Sequence, residues 1–149
     1  MNTHAFVRSL GNAPFIGKSS VFVEVPGETS FILDCGQSGD HGQHLTIQKE
    51  FNHDSRVVSP AAAQFCVVTH SHADHSAAWE QLGRIPIFST AITRVLVSEK
   101  FIAVNYYEHV YPLPRKDIYF VLTPAGHAPG AAIVTVVTPS LRLVYTGDW

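Results

Sequence analysis

The chain has 149 residues, of which 46% are hydrophobic and 15% are charged, and its formal net charge is -2 with histidine neutral. This composition is typical of one packed globular domain and excludes a disordered tail. Lysine and arginine are few and scattered, so the sequence shows no basic surface of the kind that binds nucleic acid through its phosphates. No apolar run approaches the roughly 18 residues that a membrane helix needs, and the N-terminus lacks the pattern of a signal peptide.

The N-terminal part of the chain predicts three strands. Phe6 and Val7 begin the first strand, and SSVFVEV alternates between two faces as the second. SFILDC returns as its partner after the turn at 26–29. Residues 11–17 predict a loop, and residues 44–52 predict a short helix after a polar, glycine-rich stretch.

The remainder of the chain alternates between strand and helix patterns before it ends in three strands. The predicted elements are a strand at 64–70, a helix at 75–82, a strand at 85–89, a helix at 90–101 with Thr90 as its N-cap, and strands at 117–124, 131–137 and 141–147. Residues 104–116 show no clear pattern. The order β-β-β, then β-α-β-α, then β-β-β predicts a single α/β or α+β domain.

The pattern THSHADH places three histidines and one aspartate at the end of a predicted buried strand. Residues two apart in an extended chain point the same way, so His70 and His72 can offer their imidazoles to one metal ion. The chain then turns into a helix, which directs Asp74 and His75 toward a neighbouring point. Imidazole and carboxylate suit Zn²⁺ and similar ions, and the cysteines that usually close a structural zinc site are absent from the motif. The motif therefore predicts a catalytic metal site.

Two later segments supply further candidate ligands. His127 in AGHAPGAA lies between glycines that allow a close backbone approach, and it could complete the ligand set of the ion held by His70 and His72. Asp148 in YTGDW follows a strand and a glycine, and its two oxygens could bridge two ions and reduce their repulsion. Asp34, which ends the strand in ILDCG, is expected to hydrogen-bond a ligand imidazole and fix its tautomer.

The other potential ligands have simpler interpretations. Cys35 and Cys66 lie in apolar strand-like runs and are interpreted as small buried side chains of a protein in a reducing compartment. Of the histidines outside the motifs, His41 and His44 lie in a polar loop and are interpreted as solvated. The other three show no partner pattern: His4, His53 and His109.

The segments ILDCG, THSHADH, GHAPGAA and YTGDW, in this order, resemble the metallo-β-lactamase superfamily over the whole chain. The resemblance implies an α+β fold, an αββα sandwich with metals at one edge of its two sheets. Within the superfamily, IPIFSTAITRVL looks like the β-CASP nucleases, and VYPLPRKD followed by GHAPGAAI and VYTGDW looks like their DNA cross-link repair branch. The N-terminal segments LGN, SSVFVEV and FILDCG look more like the general or RNA-processing members, so the branch stays open.

The resemblance also implies a two-metal site with six ligands: His70, His72 and His127 on one ion, Asp74 and His75 on the other, and Asp148 between them. Two Zn²⁺ ions are expected, with Mn²⁺ or Fe²⁺ as alternatives. The family's last ligand belongs to a C-terminal half that would follow Trp149. Residues 1–149 are therefore interpreted as the N-terminal half of a metallo-β-lactamase-like domain, truncated at its C-terminus. The missing half is an expected partner, and this half alone is expected to be poorly active and prone to aggregate.

These interpretations predict a metal-dependent hydrolase, most simply a phosphodiesterase or nuclease in which a hydroxide held between the ions attacks DNA or RNA. Asp74 is expected to orient that hydroxide while it binds metal. The expected location is intracellular, either nuclear or cytoplasmic. Two alternatives stay open: a thioesterase or lactonase on the same fold, in which the attacked atom is carbon, and an inactive fragment without catalysis.

Overall fold

The computed structural model describes residues 5–10, 19–36 and 62–149. The predicted loop at 11–17 and helix at 44–52 lie outside these ranges, as do His4, His41, His44 and His53. The described elements are β1 (Phe6–Ser9), β2 (Val21–Val25), β3 (Thr29–Leu33), β4 (Phe65–Val67), α1 (Ala73–Ser76), a 3-10 helix (Trp79–Leu82), β5 (Ile87–Thr90), α2 (Ala91–Val97), β6 (Ile102–Val104), β7 (Tyr119–Pro124), β8 (Ala132–Val137) and β9 (Arg142–Tyr145).

The strands form two sheets, one of six strands in the order β1-β2-β3-β4-β5-β6 and one of three in the order β7-β8-β9. In the first sheet β1, β2 and β3 pair antiparallel, whereas β3 to β6 pair parallel. In the second sheet β8 pairs antiparallel with both β7 and β9. Hydrophobic alternation and apolar runs predicted every one of these strands except the short β6.

The two sheets pack face to face through large apolar side chains. The ring of Phe65 in β4 lies 5.2 Å from that of Phe31 in β3 and 6.1 Å from that of Phe120 in β7, centroid to centroid. The opposite face of the first sheet is covered by a second cluster that includes Phe22, Cys66 and, from the 3-10 helix, Leu82. Both cysteines are free and buried, as predicted. Burial of apolar surface between the layers is the main force that holds them together.

The helices are shorter than the sequence predicted. The predicted helix at 75–82 is wrong in kind, because the backbone N–H of Ala78 donates to the carbonyl of Cys35 at 2.8 Å and separates α1 from the 3-10 helix. α2 begins at the predicted N-cap Thr90 but ends at Val97, and the chain then extends so that Phe101 enters the core, where it is 2% exposed. Within the described residues, none of the helices combines the length and apolar character needed to cross a membrane.

The ends of several strands meet at one place between the two layers. Because β3, β4 and β5 run parallel, Asp34, Thr69 and α2 follow them at the same edge of the first sheet. Because β7 and β9 both run antiparallel to β8, the segments leading to His127 and Asp148 also leave the second sheet at a common edge. The N–H of Ala132 donates to the carbonyl of Thr69 at 2.9 Å and joins the two edges. Strand direction therefore brings all the motif-bearing segments to one site.

Candidate metal centre

Four side chains converge where the two edges meet. Their ligand atoms all lie within 4.8 Å of one another, and they belong to His70, His72, His127 and Asp148. Nε2 of His127 lies 3.1 Å from Nδ1 of His72 and 3.6 Å from Oδ2 of Asp148. The ring centroid of His70 lies 4.7 Å from that of His72, as expected for residues two apart in an extended segment. Side chains from both sheets thus form one cluster that could hold a metal ion.

Asp74 and His75 lie beside this cluster. Nε2 of His75 is 3.2 Å from Oδ1 of Asp148 and 3.7 Å from Oδ2 of Asp74. One oxygen of Asp148 therefore faces His75 while the other faces His127. The carboxylate stands between two groups of side chains, which is the placement that a bridging ligand needs.

The carboxylate of Asp34 is fully buried and accepts hydrogen bonds from several directions. Its Oδ1 accepts the backbone N–H of Thr69 at 2.7 Å, and its Oδ2 accepts the hydroxyl of Thr69 at 2.9 Å. The same Oδ2 lies 2.7 Å from Nδ1 of His75 and accepts the hydroxyl of Tyr145 at 3.1 Å. Asp34 has a φ of 59°, a left-handed conformation that these contacts stabilise. The expectation that Asp34 bonds an imidazole of the motif is confirmed for His75.

These contacts determine which nitrogen of two imidazoles carries the proton. A carboxylate only accepts hydrogen bonds, so Nδ1 of His75 is the donor and, in the neutral ring, Nε2 carries a lone pair toward the cluster. The hydroxyl proton of Thr69 is committed to Asp34, so the Thr69 oxygen accepts from Nδ1 of His70 at 3.0 Å. Nε2 of His70 then also carries a lone pair, and among the described residues it is buried without a hydrogen-bond partner.

Electrostatics set the charge of the buried groups. Burial, followed by the charge of the neighbouring His75, lowers the pKa of His70 to about 4, so His70 is neutral at pH 7. Burial also lowers the pKa of His75, but the hydrogen bond to Asp34 and the surrounding carboxylates outweigh it, and the net pKa is raised. Burial and the charge of Asp34 raise the pKa of Tyr145 well above its usual value, so this hydroxyl keeps its proton as a donor.

Backbone contacts hold α1 against the segment that carries Asp34. The N–H of Cys35 donates to the carbonyl of His75 at 2.8 Å. Gly36 packs against the carbonyl of Asp74 so closely that a Cβ at residue 36 would lie 1.5 Å from that oxygen. A helix of four residues has little stability of its own, so these contacts fix the orientation of Asp74 and His75.

Thr69 and Tyr145 belong to the site, although the sequence analysis did not single them out. Thr69 is the first residue of the THSHADH motif, and a hydroxyl beside a buried ligand is a usable signal. Tyr145 is the first residue of YTGDW, but its contact with Asp34 spans 111 positions of sequence. A local pattern offers no sign of that contact, because it depends on how the two sheets pack.

The residues present fit a transition-metal ion. Several imidazoles with one or more carboxylates suit Zn²⁺ and related ions, whereas Mg²⁺ and Ca²⁺ prefer oxygen ligands. A buried polar atom normally has a hydrogen-bond partner, and an ion would provide one for Nε2 of His70. The neutral state of His70 at pH 7 is the state that binds metal.

Solved structures similar to this chain define its fold class. A metallo-β-lactamase of Cronobacter sakazakii, the HARLDQ motif mutant S60, aligns with a TM-score of 0.67 at 14% identity and covers 95% of this chain and 61% of its own. The metallo-β-lactamase fold protein YhfI of Bacillus subtilis aligns with a TM-score of 0.65 at 16% identity and covers 97% and 63%. The chain therefore has the metallo-β-lactamase fold, an α+β fold, as its sequence motifs implied.

Two curated relatives match this chain at higher sequence identity than these solved structures do. The human DNA cross-link repair 1A protein is 29% identical over 133 residues, covering 86% of this chain and 11% of that protein. RNase aCSPSF2 of Saccharolobus solfataricus is 24% identical, covering 96% of this chain and 33% of that protein. The chain thus spans about a tenth to a third of the length of these relatives. No protein-family model matches the sequence. Together the comparisons confirm the resemblance to the metallo-β-lactamase superfamily and its β-CASP nucleases.

Proposed function

We propose that this chain forms the metal-binding part of a hydrolase that cleaves phosphodiester bonds in DNA or RNA. The observation that carries the proposal is the convergence of three histidines and one aspartate whose ligand atoms lie within 4.8 Å of one another. A nucleic-acid substrate is supported by relatives that are named for DNA cross-link repair and for RNase activity.

In this proposal six side chains bind two Zn²⁺ ions: His70, His72 and His127 bind one ion, Asp74 and His75 bind the other, and Asp148 bridges them. The two oxygens of Asp148 face His75 and His127, which supports the bridging role. Mn²⁺ and Fe²⁺ are alternatives, because imidazole also suits Fe²⁺ and the carboxylates of the site suit Mn²⁺.

The bound ions would supply a water-derived nucleophile at neutral pH and neutralise charge on the phosphate. The chain's own residues prepare the site for this chemistry. Asp34 and Thr69 hold Nε2 of His75 and His70 toward the centre, so both imidazoles are already oriented when an ion arrives. Asp74, with a side chain that is 35% exposed, lies on the open side of the centre and would orient the attacking water through a carboxylate oxygen.

The proposal extends to the domain and its location. Residues 1–149 would belong to one metallo-β-lactamase-like domain, whose remaining part follows Trp149 and acts as the structural partner of this part. This is supported by the 61% and 63% of the similar solved chains that the alignments cover. Two free, buried cysteines suit a reducing, intracellular compartment.

A thioesterase or lactonase with the same ligands is the second candidate function. The observation in its favour is the net charge of -2 with only 10 lysine and arginine residues, which gives little attraction for a polyanion. The same side chains would bind the ions, and the attacked atom would be a carbonyl carbon.

Two experiments, carried out one after the other, test these proposals: a measurement of bound metal and an assay on several substrates. The purified chain is loaded with Zn²⁺, dialysed, and its bound metal is measured by elemental analysis, with His72→Ala as the control. We expect bound zinc in the parent chain and its loss in the variant; a parent chain without metal would support the inactive fragment. The loaded chain is then assayed on single-stranded DNA, RNA, a thioester and a lactone. Cleavage that is confined to the last two substrates would favour the second candidate.

A further inference from the structure

His127 owes its position to the loop that carries it. The loop joins β7 to β8 and is closed by bonds from Ala125 N–H to the Ala131 carbonyl at 3.1 Å and from Ala131 N–H to the Ala128 carbonyl at 2.9 Å. The imidazole itself is partly exposed, and its polar contacts among the described residues are with other members of the cluster, His72 at 3.1 Å and Asp148 at 3.6 Å. Contacts that fix the position of this loop therefore also fix the position of the His127 imidazole.

Two buried hydroxyls hold the loop at one carbonyl. Thr90 Oγ1 donates to the carbonyl of Gly130 at 2.8 Å, and Thr93 Oγ1 lies 3.3 Å from the same oxygen. Thr90 is 4% exposed and Thr93 is fully buried. Gly130 has a φ of +82°, and a Cβ there would lie 2.8 Å from both Thr90 Oγ1 and the Cβ of Ile92. Glycine is thus required for the loop to approach the start of α2 this closely.

The Thr90 hydroxyl serves two elements at once. Its oxygen accepts the N–H of Thr93 at 3.3 Å as the N-cap of α2, and its proton goes to Gly130. A third hydroxyl acts on the next carbonyl, because Tyr106 donates to Ala131 at 2.9 Å. The start of α2 follows β5 of the first sheet, and the His127 loop follows β7 of the second. These hydrogen bonds join the two segments into one unit.

We propose that Thr90 and Thr93 are positioning residues for His127: by holding the Gly130 carbonyl they set the distance of the imidazole from His72 and Asp148. This inference rests on the proposed metal site, because positioning matters for function only if His127 is a ligand. Without the Thr90 proton the loop keeps the weaker contact from Thr93, and His127 samples positions away from the cluster.

The test compares Thr90→Val, which keeps the shape and loses the hydroxyl, with Thr90→Ser, which keeps the hydroxyl. Ser89→Ala is a matched control, because Ser89 is also fully buried but donates to the carbonyl of Thr90 at 3.1 Å instead of to the loop. Zn²⁺ affinity is measured by competition with a chromophoric chelator on the full chain. We expect a loss of about 10- to 100-fold in Thr90→Val and affinities close to the parent in Thr90→Ser and Ser89→Ala.

A second readout needs no metal. Long-range proton–nitrogen spectra of the histidine rings in the metal-free chain should show shifted or broadened His127 signals in Thr90→Val and unchanged signals in Ser89→Ala. Equal behaviour of these two variants in both measurements would overturn the positioning role. If the parent chain binds no zinc, the proposed function fails, while the ring spectra still decide whether Thr90 positions His127. Thr93→Val, which keeps the N-cap oxygen of Thr90, replaces Thr90→Val if that variant does not fold, and it is judged by the same criteria.

Discussion

The candidate metal centre has a buried side and an open side that are organised differently. On the buried side Asp34, Thr69, His70 and His75 are at most 2% exposed and are joined by hydrogen bonds that run back to Tyr145. On the open side lie the remaining ligand candidates, whose short side-chain contacts join them to one another and to His75: His72, Asp74, His127 and Asp148. Hydrogen bonds formed on folding therefore orient the buried side, whereas a bound ion would hold the groups of the open side in a stable arrangement.

The largest effect is expected from a ligand on the open side. His72→Ala should abolish binding of the zinc ion proposed between His70, His72 and His127, because it removes an imidazole whose Nδ1 lies 3.1 Å from Nε2 of His127. The unfolding free energy of the metal-free chain should change by less than about 0.5 kcal/mol, as for other exposed positions. Elemental analysis and urea denaturation measure the two quantities. His109→Ala, at an exposed histidine whose ring centroid lies 4.5 Å from that of Tyr119, is the control; unchanged zinc content in His72→Ala would refute the assignment.

A substitution on the buried side should produce the opposite pattern. Asp34→Ala should lower the unfolding free energy by roughly 3–5 kcal/mol even with chelator present, because it leaves His75, Thr69 and Tyr145 without their acceptor. Urea denaturation with EDTA tests this. The control is Asp117→Ala, which removes an exposed carboxylate paired with Arg115 and should cost under about 1 kcal/mol. A loss in Asp34→Ala no larger than that in Asp117→Ala would show that the buried side is not stabilised by its own hydrogen bonds.

A smaller effect is expected at the edge of the buried network. Tyr145→Phe removes one of the donors to Asp34 and should cost about 1 kcal/mol of unfolding free energy. The zinc affinity should fall by less than about 10-fold, because Thr69 and His75 still hold the carboxylate. Tyr111→Phe, at an exposed position, serves as the control for stability. A loss as large as that of Asp34→Ala would mean that Tyr145 is the main support of the network.

The smallest effect is expected from metal removal on the buried cysteines. Burial raises the pKa of the Cys66 thiol, and both cysteines are at most 2% exposed. They should react slowly with an aromatic disulfide reagent both with zinc and with EDTA, because folding buries them without the ion, and stabilisation by zinc should slow the labelling only slightly. Both thiols should react at once after unfolding in guanidinium. Labelling in EDTA as fast as in guanidinium would show that the ion also orders the interior.

Local features of the fold were predictable from the sequence. The alternation in SSVFVEV predicted β2, and the apolar run before His70 predicted β4. Thr90 was predicted as an N-cap, and its side chain accepts the N–H of Thr93. The helix at 75–82 was wrong because its break depends on the carbonyl of Cys35, which lies far away in sequence. Propensity describes neighbours along the chain, and such tertiary contacts override it.

The candidate site was predictable to a similar extent. His70, His72, Asp74 and His75 lie in one motif, so their grouping was visible directly. The approach of Asp148 to His75 and the contact of Tyr145 with Asp34 arise from the packing of one sheet on the other. Asp148 was predicted as a site residue through the order of motifs in a resembling family, and the contact of Tyr145 was not predicted, because periodicity carries no information about contacts between sheets.

The position of the centre between the two sheets has a thermodynamic consequence. His70 and His72 leave the first sheet, whereas His127 and Asp148 leave the second. An ion held by all four would cross-link the two layers at one end of the sandwich. It could bind in this way only when the two layers are packed together. Zinc would then raise the melting temperature in proportion to the logarithm of its free concentration, and the layers would separate more readily in a metal-starved cell.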